Sequence, residues 1–148
     1  ALFKLVKNGL SFHTPGINGF VDVQDVAAAM ILLMNRETHT DNGESGERFI
    51  VSAENCSYQD FFTAVARGFK CKPPSHQAKP WMLNIAWRAA KMISLITGKP
   101  AGLTSETARS SMQTNVYSNS KIINTLGIKF KPLHESIADT CKALNDNV

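Results

Sequence analysis

The sequence is poor in cysteine and has no histidine pairs at metal-binding spacing. Its three cysteines are widely separated, with no CxxC, and the odd number argues against a disulfide framework or a zinc knuckle. The four histidines show neither HxxxH nor HExxH spacing. We therefore predict no metal site, and we expect a reducing, cytoplasmic compartment.

Long hydrophobic runs are also missing, and nothing in the first residues is typical of a signal peptide. The most apolar segment, 81–97, lies between Pro80 and Gly98 and carries Arg88 and Lys91 near its middle. A bilayer crossing needs about 20 predominantly apolar residues. The sequence therefore predicts no membrane span.

The excess of positive charge does not form a continuous stripe. The formal net charge is +4, but the basic residues are scattered, and only Lys70, Lys72 and Lys79 come near to clustering. Nucleic-acid binding requires a basic patch, and single-stranded partners also need aromatic stacking residues, which this segment lacks. We predict no nucleic-acid partner.

The motifs of common enzyme classes are absent. The glycine pairs at 16 and 19 and at 43 and 46 lack the preceding strand and following helix of a dinucleotide fingerprint. No GxSxG and no P-loop occurs, so an independent hydrolase or kinase has no visible machinery. With 43% hydrophobic and 19% charged residues, the 148 residues instead suit one globular domain, 1–148.

Short strands that run directly into helices predict an α/β fold. Phe20, Val21 and Val23 suit a strand, and Asp22 can cap the helix that follows over 22–34. This helix is apolar on nearly every side, so we predict that it is mostly buried. A second unit joins a strand over 48–52 to a helix with a capping box, Ser57 and Asp60.

The remaining periodicity predicts further short strands and several helices. Helices are expected over 1–6, 81–97, 105–112, 118–126 and after Pro132, and strands over 10–13, 115–117 and 128–130. The helix over 81–97 carries Trp81 and Trp87. These aromatic side chains suit either a hydrophobic core or the wall of a substrate pocket, and both alternatives stay open.

Tyr117 and Lys121 have the YxxxK spacing by which a lysine can lower the pKa of a catalytic tyrosine on one helix face. We interpret the match as a coincidence. Ser118 is predicted as the N-cap, which leaves Tyr117 outside the helix.

The run GFVDVQDVAAAM at 19–30, with VYSNSK at 116–121 and the helix over 133–144, resembles the C-terminal half of extended short-chain dehydrogenases/reductases. This is the NAD-dependent epimerase/dehydratase family, which includes dihydroflavonol-reductase-like enzymes. The resemblance implies the C-terminal, substrate-binding lobe of a Rossmann-type α/β enzyme, without the Rossmann nucleotide-binding core. In the complete enzyme that missing N-terminal Rossmann domain would hold NAD or NADP and the catalytic groups. None of these would belong to this chain, which we predict to be inactive alone.

The same resemblance implies residues on the substrate side. They are Phe12, His13, Asn18, Phe20 and Gln24, with Trp81 and Trp87 added from the apolar helix; ordinary loop packing is the alternative. The family often has arginine where this chain has Gln24, so the expected substrate is a less charged carbonyl or hydroxyl compound. The rival interpretation is a free-standing α/β binding or protein-interaction module, and a homodimer stays open in either case.

Overall fold

A computed structural model describes residues 2–37, 47–98 and 105–146 of the chain. Within these ranges it is α/β, with short strands and several helices, as the sequence predicts. The elements in chain order are α1 (Leu2–Lys7), β1 (Phe12–His13), β2 (Ile17–Phe20), α2 (Val23–Glu37), β3 (Glu54–Ser57), α3 (Tyr58–Gly68), β4 (His76–Gln77), α4 (Pro80–Thr97), α5 (Ser105–Ser110), α6 (Ser120–Leu126) and α7 (Leu133–Asp146).

The strands form two pairs rather than one continuous sheet. β1 and β4 are parallel, with Phe12 opposite His76 and His13 opposite Gln77. The His76 N–H donates to the Ser11 carbonyl at 3.2 Å, and the Ala78 N–H donates to the His13 carbonyl at 2.8 Å. β2 pairs with β3. A parallel pair joined over a long crossover is the expected element of an α/β chain.

The chain divides into two compact units. Unit 1 comprises Ala1–Asn18 and Cys56–Asn115, and unit 2 comprises Gly19–Asn55 and Val116–Val148. In unit 1, α3 buries one helical face against α1, where the Phe3 and Phe61 rings meet edge to face at 5.7 Å. In unit 2, the buried apolar side chains come from three helices: Ala29, Ile122, Leu133, Ile137 and Cys141.

Helix boundaries set by local capping agree with the sequence. Ser57 caps α3, since its Oγ accepts the Asp60 N–H at 3.0 Å and donates to the Asp60 carboxylate at 2.6 Å. At the start of α2, the Asp22 carboxylate accepts the Gln24 N–H at 2.9 Å. None of the helices in the described ranges has the length and apolar character needed to span a bilayer.

Three predicted strands are wrong, and the strand predicted over 20–23 lies earlier, as β2 (Ile17–Phe20). The described residues at 48–52, 115–117 and 128–130 form no strand, and the first half of the chain instead pairs through β2 and β3. Side chains replace the strand ladder at two of these places. The Asn55 amide bonds both the N–H and the carbonyl of Tyr117 at 2.9 Å, and the Asn119 amide donates to the Ser52 carbonyl at 2.7 Å.

The expected burial of α2 is also wrong. Among its described side chains only Ala29 is buried, whereas Val23 is 78% exposed and Met34 is 66% exposed. α2 packs against α6 in unit 2. An apolar sequence alone cannot distinguish a helix covered by neighbours from one that leaves an apolar face open.

Candidate functional site

The carboxyl ends of β1 and β4 border a depression of about 380 Å³ in unit 1, which we call the carboxyl-end depression. Open α/β folds bind ligands beyond the carboxyl ends of parallel strands, so its position makes it the candidate site. Its lining is mixed, because carbon-rich side chains stand beside an amide and an ammonium group. The lining residues are Pro15, Gln77, Ala78, Lys79, Pro80 and Met112.

A close backbone contact fixes the segment that contains Pro15, one of the lining residues of the depression. The Gly16 N–H donates to the Ser111 carbonyl at 3.2 Å, and the Ile17 N–H donates to the Gln113 carbonyl at 3.1 Å. A Cβ on Gly16 would lie 2.3 Å from the Ser111 carbonyl oxygen. Glycine is therefore required for this approach, which places the segment after β1 against the segment that contains Met112.

The same contact tests whether a dinucleotide fits at the glycine pair at 16 and 19. In a Rossmann fingerprint, glycine lets the backbone approach the pyrophosphate. At Gly16 that space is filled by carbonyl oxygens of the chain itself, and at Gly19 an added Cβ would lie 2.6 Å from Ser52 Oγ. These glycines do not fit a dinucleotide. The other pair, at 43 and 46, lies outside the described residues.

Three predicted residues lie on the elements that border the depression. His13 is 6% exposed, and its Nδ1 lies 3.4 Å from the Thr14 carbonyl oxygen. Phe12 is partly exposed, and its ring lies 5.7 Å from the His76 ring. Trp81 directly follows Pro80, at the start of α4, and is 59% exposed. Trp81 itself is not a lining residue of the depression.

None of these three residues is in the lining, and two further predicted residues of unit 1 also lie outside it. Asn18 is half-buried, and its amide donates to the Tyr58 hydroxyl at 3.3 Å. Trp87 lies two turns further along α4, where the Arg88 guanidinium is 5.6 Å from its ring. In these positions both residues contact other side chains of unit 1.

Phe20 and Gln24 belong to unit 2. The Phe20 carbonyl accepts the Ala53 N–H at 2.8 Å, and Gln24 is exposed in the first turn of α2. The neighbouring Asp22 has a pKa below its usual range, because its carboxylate accepts hydrogen bonds from the Ser136 side chain and the Gln24 N–H and lies 3.8 Å from Lys131 Nζ. This charged group secures the beginning of α2.

Lys131 is held between carboxylates in the same unit. A hydrogen bond to the Asp139 carboxylate raises the pKa of Lys131, and the Lys131 N–H donates to Asp25 Oδ2 at 2.7 Å. In the part of the chain that the structure describes, no group of three histidine, cysteine or acidic residues could hold a metal ion.

The YxxxK pair does not form a catalytic arrangement. α6 begins at Ser120 with Asn119 as its N-cap, so the predicted start at Ser118 is wrong, but Tyr117 lies outside the helix as predicted. Lys121 Nζ lies 3.6 Å from a Glu47 carboxylate oxygen and 4.8 Å from the Phe49 ring centroid. Its contacts are thus with the segment before Ser52.

β4 is not among the strands that the sequence predicts. Between the Pro73–Pro74 pair and Pro80, His76 and Gln77 form this strand, and Gln77 and Lys79 line the depression. Prolines that flank a two-residue strand suit an edge position, and this was the available signal.

No model of a known protein family matches the chain. A Synechocystis protein named "Putative dihydroflavonol 4-reductase" is 26% identical over 130 residues, which are 87% of this chain and 37% of that protein. The crystal structure of gox2253 has the same fold, with a TM-score of 0.68 and 21% identity over 99% of this chain and 42% of that one. The chain thus has a distant relation to the reductase/epimerase family and spans less than half the length of each of these proteins.

Proposed function

We propose that this chain is the substrate-binding part of a larger NAD(P)-dependent oxidoreductase of the dihydroflavonol-reductase type. The observation that carries the proposal is the match over 87% of the chain to little more than a third of a protein with a reductase name. The GFVDVQDVAAAM resemblance points in the same direction. The two compact units would together form the predicted lobe, 1–148.

The glycines of this chain support the proposal that it binds the substrate while another domain binds the cofactor. Gly16 and Gly19 are packed against the chain itself and do not fit a dinucleotide. NAD or NADP would be held by the missing Rossmann domain, and the chain by itself would be inactive. The residues of this chain would bind the substrate, orient it and exclude water from it. Holding a substrate in the reactive orientation can account for a large part of an enzyme's rate enhancement.

The composition of the carboxyl-end depression favours an uncharged or weakly charged carbonyl or hydroxyl compound. Four of its six lining residues are apolar, and Gln77 has an amide that can hydrogen-bond a carbonyl or hydroxyl oxygen. The apolar residues are Pro15, Ala78, Pro80 and Met112. About 380 Å³ lies at the lower end of the range for small-molecule sites. Trp81 would cover one side of a bound ring.

Exposed apolar side chains on α4 are the expected contact with the rest of the enzyme. Ile85, Met92 and Leu95 are each more than half exposed. Surfaces of this kind are typical of protein interfaces. The alternative, an independent interaction module, would use the same face of α4 for a partner protein or for a second copy of the chain, and it would catalyse no NAD(P)H oxidation.

The substitution Trp81→Ala in the complete enzyme tests the substrate role. We expect KM for the carbonyl compound to rise about tenfold while Tm changes little, because the indole is largely exposed before substrate binds. Met34→Ala, which removes an exposed apolar side chain of α2 that belongs neither to the depression nor to α4, is the control and should leave KM unchanged.

Two results would contradict the proposal. Unchanged kinetics with a lowered Tm in Trp81→Ala would assign Trp81 to the core. NAD(P)H oxidation by the chain alone would show that the cofactor and catalytic groups lie within it.

A further inference from the structure

The two units have opposite net charges. Unit 1 contains ten lysine and arginine residues and two acidic residues in its sequence ranges, a formal net charge of +8. Unit 2 contains six basic and ten acidic residues, a net charge of −4. The modest net charge of the whole chain therefore conceals a strongly basic unit, which attracts anions by its long-range field.

A second depression lies at the opposite end of the β1–β4 pair from the candidate substrate site. It has a volume of about 210 Å³, and we call it the amino-end depression. Four of its lining residues have polar side chains: Lys72, Ser11, Ser75 and His76. All four side chains can donate hydrogen bonds, and no residue of the lining is acidic.

Neither acidic residue of unit 1 belongs to this lining. Asp60 lies in the first turn of α3, where its carboxylate accepts a hydrogen bond from Ser57, and Glu106 lies in the first turn of α5. The donors of the amino-end depression therefore have no carboxylate of the lining as a competing partner. An external anion can supply the acceptor oxygens that these donor side chains do not find within the lining.

The strand pair fixes the backbone at two of these residues. The His76 N–H donates to the Ser11 carbonyl at 3.2 Å, which holds the two strand starts side by side, and the Phe12 ring lies 5.7 Å from the His76 ring. Ser11 Oγ lies 3.5 Å from the Gly9 carbonyl, a long hydrogen bond that the hydroxyl can exchange for one to a ligand oxygen. Ser11 and His76 are thus adjacent before a ligand arrives, and the exposed side chains of Lys72 and Ser75 are accessible to it.

We propose that the amino-end depression binds phosphate, either as inorganic phosphate or as the phosphate group of a small metabolite. A tetrahedral anion with several acceptor oxygens can engage an ammonium group, two hydroxyls and an imidazole together. A volume of about 210 Å³ is smaller than the usual site for a whole drug-sized molecule, so it suits a small anion or the anionic end of a larger ligand. This proposal does not depend on the oxidoreductase activity.

The test is a titration of the full chain with inorganic phosphate at constant ionic strength, followed by amide chemical shifts in NMR spectra. We expect saturable shifts at Ser11, Ser75 and His76. Lys72→Ala should weaken the affinity about tenfold, the usual effect of losing one charge-assisted hydrogen bond. Lys91→Ala, which removes an exposed lysine of α4 in the same unit, should weaken it less than twofold.

A second variant, Ser75→Ala, keeps the charge of unit 1 and removes one donor, and it should weaken phosphate binding about threefold to tenfold. Equal weakening by Lys72→Ala and Lys91→Ala would overturn the proposal, because it would show general charge attraction only. Binding to vesicles that contain phosphatidylglycerol, without saturable shifts from inorganic phosphate, would also overturn it and would assign the basic surface to lipid headgroups.

Discussion

Gly16→Ala is a substitution for which the structure predicts a large loss of stability. The new methyl group would lie 2.3 Å from the Ser111 carbonyl oxygen and 2.7 Å from the Gln113 carbonyl oxygen. Both obstacles are backbone atoms, so no side-chain rotation can relieve the overlap. The segment that contains Gly16 must move away from the segment that follows α5.

The magnitude follows from the contacts that this movement breaks. The hydrogen bonds from the Gly16 and Ile17 N–H groups to the Ser111 and Gln113 carbonyls contribute about 1 kcal/mol each. Overpacking adds about 1–3 kcal/mol. The expected loss is about 3–5 kcal/mol, a large part of the roughly 5–15 kcal/mol that stabilises an ordinary domain.

Urea denaturation followed by circular dichroism measures this loss, with Gly9→Ala as the control. Gly9 also lies in unit 1, but a Cβ there meets nothing within 4 Å, and only its positive φ of 89° opposes alanine. We expect that control to lose about 1–2 kcal/mol. A Gly16→Ala protein as stable as the Gly9→Ala protein would refute the close approach.

Three further substitutions test local features. Ser57→Ala should lower the free energy of unfolding by about 1 kcal/mol, measured by urea denaturation, because it removes the N-cap of α3; an unchanged midpoint would contradict the capping geometry. Asp22 has a lowered pKa, so its charge stabilises the folded chain above about pH 4 and this contribution is lost as the pH falls through the folded pKa. Asp22→Asn should therefore reduce Tm at pH 7, and its difference from the wild type should shrink as the pH falls through the folded pKa, whereas a difference that stays constant with pH would contradict the lowered pKa of Asp22. Tyr117→Phe in the complete enzyme should leave kcat unchanged, and a loss of a hundredfold would restore the YxxxK pair as catalytic.

Local signals in the sequence predicted the helices well. Ser57 and Asp60 are three residues apart, and Pro80 and Gly98 bracket α4, so the information that starts and ends these helices lies within one or two turns. The α/β class followed from the same short-range pattern. Such interactions depend on neighbours in the chain and are visible without a tertiary structure.

The sequence patterns could not identify contacts between residues that lie far apart in the chain. Phe12 pairs with His76 across more than sixty residues, so the two-residue strand β4 depends on a partner that its own local sequence does not indicate. Asn55 satisfies the backbone of Tyr117 through its side chain, which removed a strand that periodicity favoured. The two depressions depend on the β1–β4 pairing, and for that reason only Phe12, His13 and Trp81 were anticipated near it.

The central claim is that this chain works as one part of a larger oxidoreductase, and the mass of the native gene product tests it most directly. An antibody raised against the chain, which has a mass of 16.2 kDa, would be used to probe an extract of the source cells. The account predicts a band at roughly 40 kDa, because the chain spans 42% of the gox2253 chain. A band at 16.2 kDa would contradict it and leave the independent interaction module.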